Sequence, residues 1–555
     1  MPSATRHYSQ RRLADGITHM GNELQTLDYV VFLTYFVIVS GYGYWIYQRK
    51  KAAVTSANDF FLAEGALTWW AIGASLIASN ISAEQFIGMS GSGFAMGLAI
   101  ASYEWMAALT LIVVAVFFMP GYIQNKIFTM PQFLEKRYSP LVATMMAVFW
   151  LLVYIFVNLT SILYLGAIAV STISGFSFTA CATFLAVFAI IITLGGMKVI
   201  GYTDVIQVAI LVLGGLATTY LALNLVSDQV GGGGMWAGLT MLRQEAPGHF
   251  HMIFDKSNPY YKDLPGMTVL IGAMWIANLN YWGCNQYITQ RALGAKLETA
   301  RNGLLFASFL KLLMPIIVVL PGIAAYVLHQ KGMFQQEMVD AAGTVKPDKA
   351  YPVLLNLLGP GLKGLSFAAL TAAIVASLAG KANSIATIFT LDLYKKYWDK
   401  EASETTQVRI GRWAIIASMI IAIAVAPQLQ RLEQGFQFIQ DFTGLISPGV
   451  VAIFVLGFFW KRATANAALV AALVTIPMGI GIKTLMPEVP FLDRMGWVFL
   501  VLVALMAVIS LADPKSKDNP KAMKVDIEQF RTSQTFAIGA LLVVGILAAL
   551  YIVFW

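Results

Sequence analysis

Ala74-Ser75-Leu76-Ile77-Ala78-Ser79-Asn80-Ile81-Ser82-Ala83-Glu84-Gln85 starts as an apolar run and then brings in Asn80, Ser82, Glu84 and Gln85 one after another. Trp275-Ile276-Ala277-Asn278-Leu279-Asn280-Tyr281-Trp282-Gly283-Cys284-Asn285-Gln286 does the same much later in the chain. Asn, Ser and Gly loosen helical backbone bonding. Whether these stretches are loops or broken helices depends on the solvent around them.

Composition identifies that solvent. The 555 residues are 58% apolar and only 12% charged, with a mean hydropathy of +0.70. Soluble domains carry about one quarter charged residues, so a set of soluble domains is excluded and lipid must cover much of the surface. Cys181 and Cys284 both lie in apolar runs, which excludes a disulfide framework and a cysteine-rich metal site. The net charge of +8 is spread over short connectors and not gathered in one patch, which points to membrane topology and not to a nucleic-acid partner.

A membrane span needs roughly 20 apolar residues, and the chain holds fourteen candidates, at about 28–47, 69–88, 97–120, 139–172, 178–195, 202–226, 266–285, 303–329, 364–394, 409–427, 434–460, 463–484, 495–512 and 534–555. The fold class expected is all-α and polytopic, with about 14 transmembrane helices. Residues 1–27 read as a polar tail without a signal peptide, and 28–48 as an extra first helix. Counting Lys and Arg in alternate connectors gives 13 on the side of the tail and 22 on the other. The positive-inside bias then puts both termini outside. Lys311 and Lys381 belong to no connector and sit within spans.

In a membrane the two opening stretches become broken helices. Buried polar groups there are expensive unless they face a cavity or a partner, and unwound backbone is tolerated only where it lines a cavity. Helix packing explains single Ser and Asn residues, but it explains two matched clusters poorly. The breaks fall in the second and seventh spans, the first members of two successive groups of five. Paired interruptions of this kind mark an inverted-repeat secondary transporter with its site at the midplane. Further polar residues complete a candidate cage: Tyr103-Glu104 in the third span, Lys311 in the eighth, and Gln437, Gln440 and Asp441 at the start of the eleventh. A carboxylate, an ammonium, amides and aromatic faces together suit a polyhydroxylated solute. For Glu104 and Lys311 the competing reading is an ion pair that only joins helices. No HExxH, nucleotide-binding glycine loop or triad spacing is present, so no enzyme is expected.

Taken together, these residues resemble the sodium:solute symporter family, and within it the bacterial sodium/glucose and sodium/galactose cotransporters. The resemblance is carried by residues 73–78 and 80–88, Ala101-Ser102-Tyr103-Glu104-Trp105, Tyr281-Trp282-Gly283, Asn285-Gln286-Tyr287, residues 319–326 and Thr443-Gly444-Leu445. It implies two inverted five-helix repeats of the leucine-transporter type, here 69–226 and 266–460, with broken first and sixth core helices and C-terminal helices at 463–555. It also implies sodium-driven uptake by alternating access across a bacterial inner membrane, with no organic cofactor. By the resemblance, Gln85, Glu104, Asn278, Lys311 and Gln440 bind sugar. Met89, Tyr103 and Phe436 form the outer gate, and Tyr281 the inner one, with Asn80 as its partner. Ala107 stands where the family can place a serine beside the sugar.

For sodium, the resemblance implies carbonyls of Ala78, Ile81 and Ala373 and two adjacent hydroxyls at 376 and 377. Ala376 lacks the hydroxyl and Ser377 keeps it. Asp204 corresponds to a carboxylate on the sodium exit path, or is a plain helix cap. Lys381 stands where the family has an uncharged residue, one helical turn from Ser377. Either its ammonium approaches the ion site and weakens or replaces sodium, or it pairs with an acid or snorkels to an aqueous cavity. Alternatives to sodium-coupled sugar symport are another polar solute, such as an inositol or an organic acid, proton-linked or uncoupled transport, and a sugar sensor. With Trp555 directly after the last span, no signalling domain is expected there.

Overall fold

The computed structural model describes residues 24–50, 68–127, 129–194, 197–229, 231–293, 295–340, 342–431, 435–523 and 526–555, and within these ranges it leaves out some helix side chains, among them Asp204 and Gln437. Most of the polar tail and the 51–67 connector lie outside the described residues. Among those described, the regular elements are helices, with one isolated bridge between Val339 and Val345.

Each expected span falls on helix, but ten helices are long and apolar enough to cross a membrane among the described residues. The count of fourteen is therefore not established by length and apolarity. Two expected spans are interrupted, Phe178–Thr193 has only 16 residues, and Thr26–Lys50 is only partly described.

The interruptions have local causes. Trp69–Asn80 ends at Ile81, whose backbone turns extended (φ −68°, ψ 94°). Ser82 then starts a new helix, its Oγ accepting from the Glu84 N–H at 3.1 Å. Gln85 reaches back with Oε1 to the Ser82 N–H at 3.2 Å, closing a capping box. In the second broken span, Met274–Gly283 stops and Gln286–Leu293 begins. Asn285 caps this start, its Oδ1 accepting from the Tyr287 N–H at 3.1 Å. The second broken span thus continues past the sequence boundary at 285 as a further helix.

Gly97 separates the first broken span from the next helix at φ +77°, and a Cβ there would lie 2.4 Å from the His249 carbonyl oxygen. Leu297–Gln330 packs against Trp69–Asn80, Ser90–Met96 and Ser102–Val113. Leu362–Thr387 packs against Thr26–Lys50 and Met197–Asp228. Its N-terminus is held by Asp28, which is buried and accepts from the Gly361 and Gly364 N–H groups at 2.7 and 2.8 Å. A carboxylate suits the positive end of a helix, so the first helix is fixed to the ninth by charge as well as by packing.

Candidate functional site

A cavity of about 80 Å³ opens between the two breaks. It is lined by Gln85, Glu104, Asn278, Lys311 and Gln440, and by Asn80, Met89, Tyr103, Tyr281 and Phe436. Ten residues from six helical segments, separately picked out in the sequence, thus border one space.

At its centre Lys311 (1% exposed) donates to Glu104 Oε2 (3% exposed) at 2.5 Å. Lys311 also donates to Asn80 Oδ1, and Asn80 Nδ2 donates to the Tyr281 hydroxyl at 3.2 Å. The Trp282 ring covers the ammonium at 5.1 Å, close enough for a cation–π contact. Tyr103 and Phe436 meet edge to face, 5.2 Å between ring centroids. This arrangement offers acceptors, donors and apolar faces at once, as a hydroxylated ring requires.

The sequence reading missed Trp282, Thr443, Ser447, Phe491 and Met495, which also line the cavity. Gln440, Thr443, Gly444 and Ser447 recur at helical spacing, a signal that one polar face of this helix is inward. Ser447 is further tied to the second broken span by the Asn280 amide at 2.9 Å. Asp441, expected in the cage, turns away and pairs with Lys483 and, at 2.8 Å, with Arg494.

Ala78, Ile81, Ala373 and Ser377 are each buried, and the helices Trp69–Asn80 and Leu362–Thr387 touch one another. Ser377 Oγ has no hydrogen-bond partner among the described residues. A buried orphan hydroxyl calls for an explanation, and it is of the kind a hard cation takes, since such cations use oxygen ligands. Among the described residues no group of His, Cys, Asp or Glu could hold a metal ion.

Lys381 does not snorkel. It is 3% exposed and, among the described residues, its ammonium makes one hydrogen bond, to Asn158 Oδ1 at 3.4 Å, and no ion pair. Three tyrosine rings surround it, Tyr287 at 4.4 Å, Tyr154 at 5.0 Å and Tyr281 at 5.9 Å. Asp204 lies on Met197–Asp228, its side chain outside the described residues.

A polar, aromatic-lined cavity held between two broken helices is the architecture of a helical membrane transporter. The model of the sodium:solute symporter family matches residues 60–475. The chain belongs to that family. It is 47% identical to the sodium/glucose cotransporter of Vibrio parahaemolyticus, over 97% of this chain and 100% of that protein. It is 33% identical to the sodium/myo-inositol cotransporter 2 of Sus scrofa, over 82% of this chain and 70% of that one. Its structure is similar to a Na+-coupled sialic acid symporter in a substrate-bound, outward-open state, with a TM-score of 0.75 at 21% identity, covering 88% of this chain and 98% of that one. This last likeness speaks for the fold alone, the inverted-repeat architecture expected from the paired breaks.

Proposed function

We propose that this sodium-coupled symporter carries a monosaccharide of the glucose or galactose type by alternating access. The observation that carries the reading is the Glu104–Lys311–Asn80–Tyr281 chain inside an aromatic-lined cavity. Gln85, Glu104, Asn278, Lys311 and Gln440 bind the sugar hydroxyls. Met89, Tyr103 and Phe436 close the cavity on one side, and Tyr281, held by Asn80, on the other. The extensive identity to the Vibrio protein supports sugar as the solute.

Sodium binds to the Ala78, Ile81 and Ala373 carbonyls and the Ser377 hydroxyl, weakly because Ala376 supplies no oxygen and Lys381 adds a positive charge nearby. It leaves past Asp204. The repeats span 69–226 and 266–460 of a chain lying in a bacterial inner membrane, both termini outside, and no organic cofactor takes part. A second reading, myo-inositol as solute, is favoured by the inositol cotransporter relatives, because inositol presents the same ring of hydroxyls.

Uptake of labelled galactose, glucose and myo-inositol into proteoliposomes, with the sodium gradient on or off, tests this. Hexose uptake that needs the gradient supports symport. Uptake indifferent to sodium overturns the coupling, binding without uptake makes the protein a sensor, and preference for inositol selects the second reading.

A further inference from the structure

We propose that the Lys381 ammonium is a tethered cation that competes with sodium and, through Tyr281, links the filling of the ion site to the inner gate. The inference rests on the reading of the protein as a sodium-coupled sugar symporter.

Lys381 lies one helical turn after Ser377 on Leu362–Thr387, a spacing that leaves side chains about 5–6 Å apart at Cβ. An ammonium this deeply buried needs compensation. Asn158 and the three tyrosine rings supply it. Each ring lies within about 6 Å, the range of a cation–π contact.

The rings are tied to the broken helices. The Tyr287 hydroxyl donates to the Ser79 carbonyl at 3.0 Å, between Ala78 and Ile81. The Tyr154 hydroxyl donates to Asn285 Oδ1 at 2.5 Å, at the second break. The Tyr281 hydroxyl accepts from Asn80, which also holds Lys311. Gly380 lets the cage close on the helix, since a Cβ there would lie 2.6 Å from the Tyr287 ring. One charge therefore touches the segment that carries the ion-site carbonyls, the inner gate and, through Asn80, the sugar site.

Two cations this close, away from bulk water, repel with little screening. The ammonium therefore weakens sodium binding, and by reciprocity bound sodium weakens the hold of the ammonium on its rings. Sodium arriving loosens Lys381 from Tyr281; sodium leaving lets it return. Ala376 is consistent with this exchange, because a site that shares its charge with a lysine uses fewer oxygen ligands.

The test compares wild type, Lys381→Met and Lys381→Arg in proteoliposomes. Removing the charge is expected to lower the sodium concentration for half-maximal sugar uptake by about tenfold or more. It is also expected to slow net uptake relative to sugar exchange at equal sodium, since the ion now leaves slowly. Arginine, which also stacks on aromatic rings, is expected to behave like wild type. Sugar binding in detergent reports folding; if Lys381→Met does not bind, Lys381→Gln carries the same comparison. An unchanged sodium half-saturation in a charge-free variant that binds sugar overturns the proposal, and so does an arginine variant that behaves like the neutral one. Wild type that takes up no sugar overturns the underlying symporter reading instead.

Discussion

Lys311 is satisfied by two side chains and a ring, and its partners reach three helical segments. Replacing it with Met leaves Glu104 buried and unpaired, at an expected cost of about 3–5 kcal/mol. Combining Lys311→Met with Glu104→Gln removes the stranded charge and is expected to recover part of that stability without recovering sugar binding. Thermal unfolding and equilibrium sugar binding in detergent separate the two effects. A single variant as stable as wild type would show that the pair contributes nothing net to the fold. Outside the spans, burial and then the Asp441 charge push the Asp263 carboxyl up to about 6 from its ordinary 3.8. The folded state thus holds this proton more tightly than the unfolded chain does, so the stability Asp263 contributes is full below the ordinary value and is lost as pH rises through about 6. Unfolding measured between pH 4 and pH 7 is expected to show this decline in wild type and a flatter profile in Asp263→Asn. Parallel profiles would remove Asp263 from the account.

The breaks were legible in the sequence because a membrane makes polar residues conspicuous, and each lies within a few residues of its expected place. Their mechanism is legible too, since Ser82-x-x-Gln85 spells a capping box and Asn285 is a favoured N-cap. The Gln286–Leu293 helix was not read, because its Gln, Thr and Arg residues look like a connector until Tyr287 and Arg291 are seen packed against the first broken span. The π-helical turns at Glu84–Met89 and Val153–Leu159, which carry Gln85, Met89, Tyr154 and Asn158, leave no periodicity signature. Long-range pairing was equally hidden. Arg137 is fully buried and donates from Nε to the Gly457 carbonyl at 2.7 Å and from its terminal nitrogens to Ala463, Trp460 and Lys461 carbonyls at 3.0, 3.0 and 3.3 Å. These carbonyls lie at or just beyond the C-terminal end of Gly435–Phe459, where helix carbonyls run out of partners; the Trp460 carbonyl also accepts from the Ala463 N–H at 3.2 Å and the Ala463 carbonyl from the Asn519 amide at 2.9 Å, which leaves Gly457 and Lys461 dependent on the guanidinium. Arg137→Met is expected to destabilise the protein by about 2 kcal/mol or more, since it strands the Gly457 and Lys461 carbonyls at about 1–3 kcal/mol each. Arg137→Lys, which cannot fork to several carbonyls, is expected to recover only part of it. Urea titration of helicity in detergent checks both, and a wild-type midpoint for Arg137→Met would contradict this account of the helix end.

Over the whole molecule, contacts between connectors fall into two groups. On one face Lys331 pairs with Glu245 at 3.0 Å and Lys262 with Glu488 at 2.6 Å, His249 reaches the Phe94 carbonyl at 3.1 Å, and the Met252 N–H donates to the Phe554 carbonyl at 2.8 Å. On the other, Arg301 donates to the Gln529 and Arg531 carbonyls at 2.6 and 2.9 Å, Lys396 pairs with Glu135 at 2.9 Å, and Lys521 donates to the Tyr138 carbonyl at 2.9 Å. Alternate numbering of the connectors along the sequence separates the same two groups. Which face looks out of the cell follows only from the positive-inside bias, and chemistry can test it. Both native cysteines are buried, so they give little background to a thiol reagent. Glu488 is 83% exposed and Lys517 is exposed on the opposite face. In intact cells a membrane-impermeant maleimide is expected to label Glu488→Cys at once and Lys517→Cys only after permeabilisation. The reverse pattern would invert the whole chain while keeping its two faces. Labelling of both in intact cells would break the division itself, because one face would then hold residues from both groups.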